Sequence, residues 1–165
     1  MVAKPNSSLP LCCVFQTLLW PPLPAEGLAG YLMRAIPPNA CHAVENPPAP
    51  RKASEKYIAL IQGCGCSFAE KVLHAQQAGY QAAVVYNVDS EQLITMTSDD
   101  KEIQQQIEIP SLFTGESSLP VRGKTRPASP QHLLVTPHTD TRCPHASGGS
   151  AQPTAEGSLA FNCPG

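Results

Sequence analysis

The 165-residue sequence has no run of 18 or more apolar residues, so none of it reads as a membrane-spanning helix. It also lacks a cluster of Lys and Arg. Eleven cations and thirteen anions leave a net charge of −2, which argues against binding a nucleic-acid backbone. No segment repeats. Proline is absent between Arg51 and Ile109, although the chain holds 18 in all. Proline fixes φ and removes a backbone donor, so continuous regular structure is expected inside that window and interrupted structure on either side. The length suits one ordinary domain and excludes a multidomain enzyme. We read residues 1–23 as a leader, 24–118 as the folded unit, and 119–165 as a disordered Pro/Ser/Thr-rich tail too poor in apolar residues to offset its ordering entropy.

The leader carries Lys4, an apolar stretch from Leu9 to Trp20 broken by Pro10 and Gln16, and small residues near Ala25. This is the outline of a weak secretory signal or of a disordered segment. Asn6-Ser7-Ser8 would be a glycosylation sequon if it reached the lumen uncleaved.

Within the folded unit, Gly30 to Ile36 reads as a strand stopped by Pro37-Pro38, and 37–54 as a long surface loop containing Cys41. Tyr57 to Ile61 reads as a buried strand. Ser67 and Glu70 form a capping box, followed by Phe68, Val72, Ala75 and Gly79 at helical spacing, with Lys71, His74 and Gln77 assigned to the wet side. Ala82 to Val88 is a second apolar strand, so the unit predicts a right-handed βαβ crossover. Leu93 to Met96 reads as a short exposed strand and Asp99 to Gln106 as a helical turn or two. Ile107 to Phe113 reads as a strand near an edge or bulge because of Pro110. In the tail only Leu133-Leu134-Val135 clusters apolar residues.

Several segments imitate chemical sites. Gly63-x-Gly65 before a capped helix, with Asp89 beyond the next strand, resembles a phosphate loop, but Phe68 stands where a dinucleotide fingerprint needs its third glycine. Cys41, His42, Cys64, Cys66 and His74 contain metal-ligand types without the paired spacing of a zinc module, as do Cys143, His145 and Cys163 in the tail. Cys64 or Cys66 precedes a helix N-terminus that would lower a thiol pKa, yet His74 is too far along the helix to serve as its base. Ser111, Ser117 and Ser118 lack a G-x-S-x-G setting. The plainer reading is a structural bridge, Cys41 to Cys66, which needs an oxidising compartment and leaves Cys64 spare. Seven cysteines leave at least one unpaired within the chain. No catalytic residue, cofactor or metal is assigned, and the enzyme alternative is a small nucleotide- or thiol-dependent domain using Gly63 to Ser67.

A family pattern runs through Gly27-Leu28-Ala29-Gly30-Tyr31-Leu32, Pro38-Asn39-Ala40-Cys41, Ile58-Ala59-Leu60-Ile61, Cys66-Ser67-Phe68, Lys71 to Gln76, Ala78-Gly79-Tyr80, Ala82 to Val85 with Asn87-Val88, Ile109 to Phe113 and Gly115 to Ser118. It resembles the protease-associated (PA) domain of the PA-TM-RING ubiquitin ligases of the Goliath class. The resemblance implies an α+β, swivelling β/β/α fold, sandwich-like around the central βαβ unit. It implies a lumenal position in endosomes or lysosomes and a non-catalytic role in recruiting protein substrates or directing trafficking. Cys41 and Cys66 match the family's disulfide pair. Gln62, Gly63 and Gly65 replace a basic pair and an acidic residue usual in the family. Beyond Ser118 the family's last helix and strand, membrane span and zinc-binding RING find no match. We therefore expect a truncated or alternatively spliced product without a surface for a ubiquitin-charged E2, its ligase activity belonging to the parent family. A sorting-receptor or protease PA domain is the alternative parent. The expected partner surfaces are the 37–55 loop and the 89–106 connection.

Overall fold

A computed structural model describes residues 9–10, 15–16, 21–88, 100–115, 131–135 and 163. Its strands are β1 (Leu9–Pro10), β2 (Phe15–Gln16), β3 (Leu28–Arg34), β4 (Tyr57–Gln62), β5 (Ala82–Tyr86), β6 (Ser111–Thr114) and β7 (Gln131–Val135), and its helices are α1 (Phe68–Ala78) and α2 (Lys101–Gln106). They form one mixed sheet in the order β1-β7-β3-β4-β5-β6-β2, which with the two helices makes an α+β fold.

Strands β3, β4, β5 and β6 run parallel. All of β5 and all of β4 except Gln62 are buried, the signature of strands covered on both faces. The period of two divides them cleanly. Ala59, Ile61, Ala83 and Val85 face one core, which they share with Ala69, Val72 and Ala75 of α1. Ile58, Leu60, Ala82 and Val84 face a second core with Leu28, Leu32, Leu112 and Leu133. Alanines at the sheet–helix contact let α1 lie close over the β4–β5 pair.

The second core has no helix over it among the described residues; Leu23 and Val88, outside the strands, pack with the strand residues there. Six gaps of about 4.8 Å would separate the outermost strands of a flat seven-stranded sheet by roughly 29 Å. Yet β1 and β2 sit at opposite ends of the order, and the five steps from Pro10 to Phe15 reach at most about 18 Å. The sheet must therefore curl.

The flanks depart from the sequence reading. Leu9–Pro10 and Phe15–Gln16, within the segment assigned to the leader, pair with β7 and β6. Gln131–Val135, within the segment assigned to a disordered tail, lies antiparallel to β3 from Leu28↔Val135 to Leu32↔Gln131. Average composition concealed a short run that suits one sheet edge: Leu133 is 1% exposed while Leu134, facing outward, is 37% exposed. Other limits shift locally. β3 begins and ends two residues before the expected 30–36, leaving Ile36 exposed, and the 107–113 segment is a strand only from Ser111, because Ile107 caps α2. Pro110 thus precedes β6, where its carbonyl accepts from Ala83 N. The expected strand at 93–96 and Asp89 lie outside the described residues.

Candidate functional site

Among the described residues, the densest polar chemistry gathers where the loop after β3 meets the turn between β4 and α1. Four consecutive loop residues are each held by a different group. The Pro38 carbonyl accepts from Gln62 N at 2.8 Å. The Asn39 carbonyl accepts from Lys71 Nζ at 2.7 Å. His74 Nδ1 lies 2.8 Å from the Ala40 carbonyl, fixing Nδ1 as the protonated nitrogen, since a carbonyl only accepts. Cys41 is joined to Cys66 by a disulfide with Cα atoms 5.7 Å apart.

α1 opens on a reciprocal cap. Ser67 Oγ accepts from Glu70 N at 3.3 Å, and Glu70 Oε2 accepts from Ser67 N at 3.1 Å. Gly79 closes the helix in the left-handed conformation.

Lys71 contradicts its assignment to solvent, for it is 0% exposed. The reason is angular: Lys71 stands three residues after Phe68 and four before Ala75, on the stripe that faces the core. Charge had suggested the wet side, whereas helical position decides the direction of the side chain. Its ammonium donates to the carbonyls of Asn39 and Cys64, and lies 3.4 Å from Cys41 Sγ and 3.5 Å from Cys66 Sγ. Burial lowers its pKa from 10.5 to about 8, against a smaller upward pull from the Glu70 carboxylate. His74 is half-buried, also unlike its assignment, while Gln77 is exposed.

Cys64 is not spare. It is bonded to Cys163 across a separation of 99 residues, with Cα atoms 5.1 Å apart. The two bridges flank Gly65. A Cβ on Gly65 would come within 3.1 Å of Cys41 Sγ, and its φ of +94° is one that side chains disfavour. A Cβ on Gly63 would meet the Tyr86 carbonyl at 3.0 Å. Both glycines of the phosphate-loop imitation are thus occupied by close packing within the protein. Cys41, Cys64 and Cys66 are bonded as disulfides and present no thiolate to a metal or a substrate; His42 is exposed on the loop. Cys12, Cys13, Cys143 and His145 lie outside the described residues, as do Ser117 and Ser118; Ser111 is buried in β6.

A family comparison follows from this geometry: the PA domain model matches residues 28–119, more than half of the chain. The chain belongs to the PA domain family. Its PA region is 53% identical over 96 residues to the E3 ubiquitin-protein ligase RNF13 of Bos taurus, covering 58% of this chain and 25% of that relative. It is 42% identical over 119 residues to the E3 ubiquitin-protein ligase ZNRF4 of Homo sapiens, covering 71% of this chain and 27% of that relative. It is also 43% identical over 70 residues to the receptor homology region, transmembrane domain- and RING domain-containing protein 5 of Arabidopsis thaliana, covering 42% of this chain and 22% of that relative. The chain therefore spans about a quarter of the length of these relatives. No helix among the described residues is long and apolar enough to cross a membrane.

Proposed function

We propose that this PA domain is a non-catalytic protein-interaction module of the endomembrane lumen, recruiting substrates or sorting partners for the ubiquitin-ligase family it resembles. The observation that carries the reading is the 53% identity with RNF13, over 96 residues of the PA region. Two disulfides favour an oxidising compartment. The surfaces offered to a partner are the loop from His42 to Glu55, in which Val44 is the sole buried residue, and α2, which buries none of its residues. The remainder of the 89–106 connection lies outside the described residues.

The test is competition. The full oxidised chain is titrated against the isolated PA domain of an RNF13-type ligase for lumenal proteins which that domain captures. Displacement, with no ubiquitin transfer when the chain is supplied with E1, E2 and ATP, supports the module. Failure to displace, or ubiquitin transfer by the chain itself, overturns it.

A further inference from the structure

We propose that Cys41–Cys66 is an exchangeable disulfide that reacts with external thiolates, and that Lys71 stabilises the sulfur that leaves. This activity does not depend on which protein the domain binds. Its ground is the position of the Lys71 ammonium. Two of its N–H groups are spent on the Asn39 and Cys64 carbonyls, and a third remains for the bridge, whose sulfurs lie 3.4 and 3.5 Å away. A purely structural disulfide gains little from a buried cation, because neutral sulfur is a weak acceptor. A thiolate at the same place gains a charge-assisted contact in a site shielded from water.

Access and leaving-group asymmetry point the same way. Cys41 and Cys66 are both half-buried, whereas Cys64 of the neighbouring bridge is buried. Cys66 immediately precedes the Ser67 cap of the 11-residue α1, so the helix N-terminus adds to the Lys71 charge in favouring a Cys66 thiolate. Among the described residues, other ionisable groups near the bridge include Glu70, whose carboxylate is engaged by Ser67, His74, whose Nδ1 is held on the Ala40 carbonyl, and His42, exposed beside Cys41.

The chemistry balances. An external thiol loses its proton to solvent, and its thiolate attacks Cys41 Sγ. A bond forms between Cys41 and the incoming sulfur as the Cys41–Cys66 bond breaks, and the electron pair departs on Cys66 Sγ opposite the Lys71 ammonium. A second external thiolate attacks the incoming sulfur and expels the Cys41 thiolate, which takes a proton from solvent. Two thiols are thereby oxidised to one disulfide and the protein bridge is reduced by two electrons. Opening frees the covalent tie between the loop at Cys41 and the start of α1.

The experiment exposes the full oxidised chain to reduced glutathione at pH 7 and follows each bridge by differential alkylation and peptide mass spectrometry. Cys41–Cys66 is expected to open about tenfold faster than Cys64–Cys163, with the glutathione adduct on Cys41. Lys71→Met is expected to slow that opening about tenfold and leave the rate at Cys64–Cys163 unchanged. Equal rates in the two proteins, earlier opening of Cys64–Cys163, or an adduct on Cys66 would overturn the proposal. A measurement on the unsubstituted protein guards against misfolding of the variant. After selective reduction, the pH dependence of Cys66 alkylation should place its thiol pKa at least about one unit below the ordinary ~8.5. An ordinary or raised value would refute the role of Lys71.

Discussion

Lys71 Nζ donates to the Asn39 carbonyl at 2.7 Å, across 32 residues of sequence. This bond ties the loop after β3 to the helix that crosses between β4 and β5, and it buries a cation to do so. The site can hold that cation because Cys64 offers a second carbonyl and the two sulfurs of the Cys41–Cys66 bridge close the remaining side. The arrangement carries a pH signature.

The Lys71 pKa is depressed to about 8 in the folded protein from 10.5. Between those values the unfolded chain binds the proton more tightly, so stability rises with pH through the window. The full span corresponds to about 3 kcal/mol. Tyr80 opposes it at higher pH: burial and the Glu45 carboxylate raise its pKa above 10, favouring the protonated folded form, so stability falls as the pH passes 10. Urea midpoints at pH 7.5, 8.5 and 9.5, with disulfides intact, should therefore climb in the natural protein and stay level in Lys71→Met. A level profile in both would contradict the burial of a charged Lys71.

Cys64–Cys163 closes a far longer loop than Cys41–Cys66, 99 residues against 25. Loop-closure entropy assigns about 4.7 kcal/mol to the first and roughly 3.5 kcal/mol to the second. Cys64→Ser and Cys163→Ser should each lower the unfolding free energy by about 4 kcal/mol, and the double variant should lose no more than either single one. Guanidinium melts of the oxidised proteins check this. Additive losses would mean that the two sulfurs act separately.

The crossover unit was legible because its signals are local. Continuous apolar runs at 57–61 and 82–86 flank a segment where the period changes to that of a helix, and Ser67-x-x-Glu70 marks the point of change. The place of Lys71 was not legible because its charge points to solvent while its helical angle points to the core. The partner of Cys64 was out of reach, since nothing near Cys163 in the sequence distinguishes it from Cys143. β7 was lost by averaging: five residues of strand character disappear within a proline-rich tail, although their use depends only on the open edge of β3. The site is thus less legible than the fold, because its ties join residues as far as 99 apart.

The cap of α1 offers a smaller, cleaner measurement. Ser67→Ala removes the acceptor of the Glu70 N–H and the hydroxyl bonded to the Glu70 carboxylate. A loss of about 1 kcal/mol is expected in chemical denaturation. Ser67→Asp, which restores an acceptor at the positive end of the helix, should recover most of it.

Strand β7 makes the strongest claim on the tail. Leu133 is buried in the second core beside Leu28, Leu32 and Ile58, while its neighbour Leu134 faces outward. Truncating a buried leucine costs about 2–5 kcal/mol, whereas exposed substitutions stay within about 0.5 kcal/mol. Leu133→Ala should therefore lower the thermal midpoint strongly and Leu134→Lys should leave it nearly unchanged. The contrast between adjacent positions is what identifies a strand with one face on a core, because in a chain without fixed structure the two substitutions would be equally silent. Matched silence would remove β7 from the fold and leave the edge of β3 exposed, with the strand-to-strand association that an open edge invites.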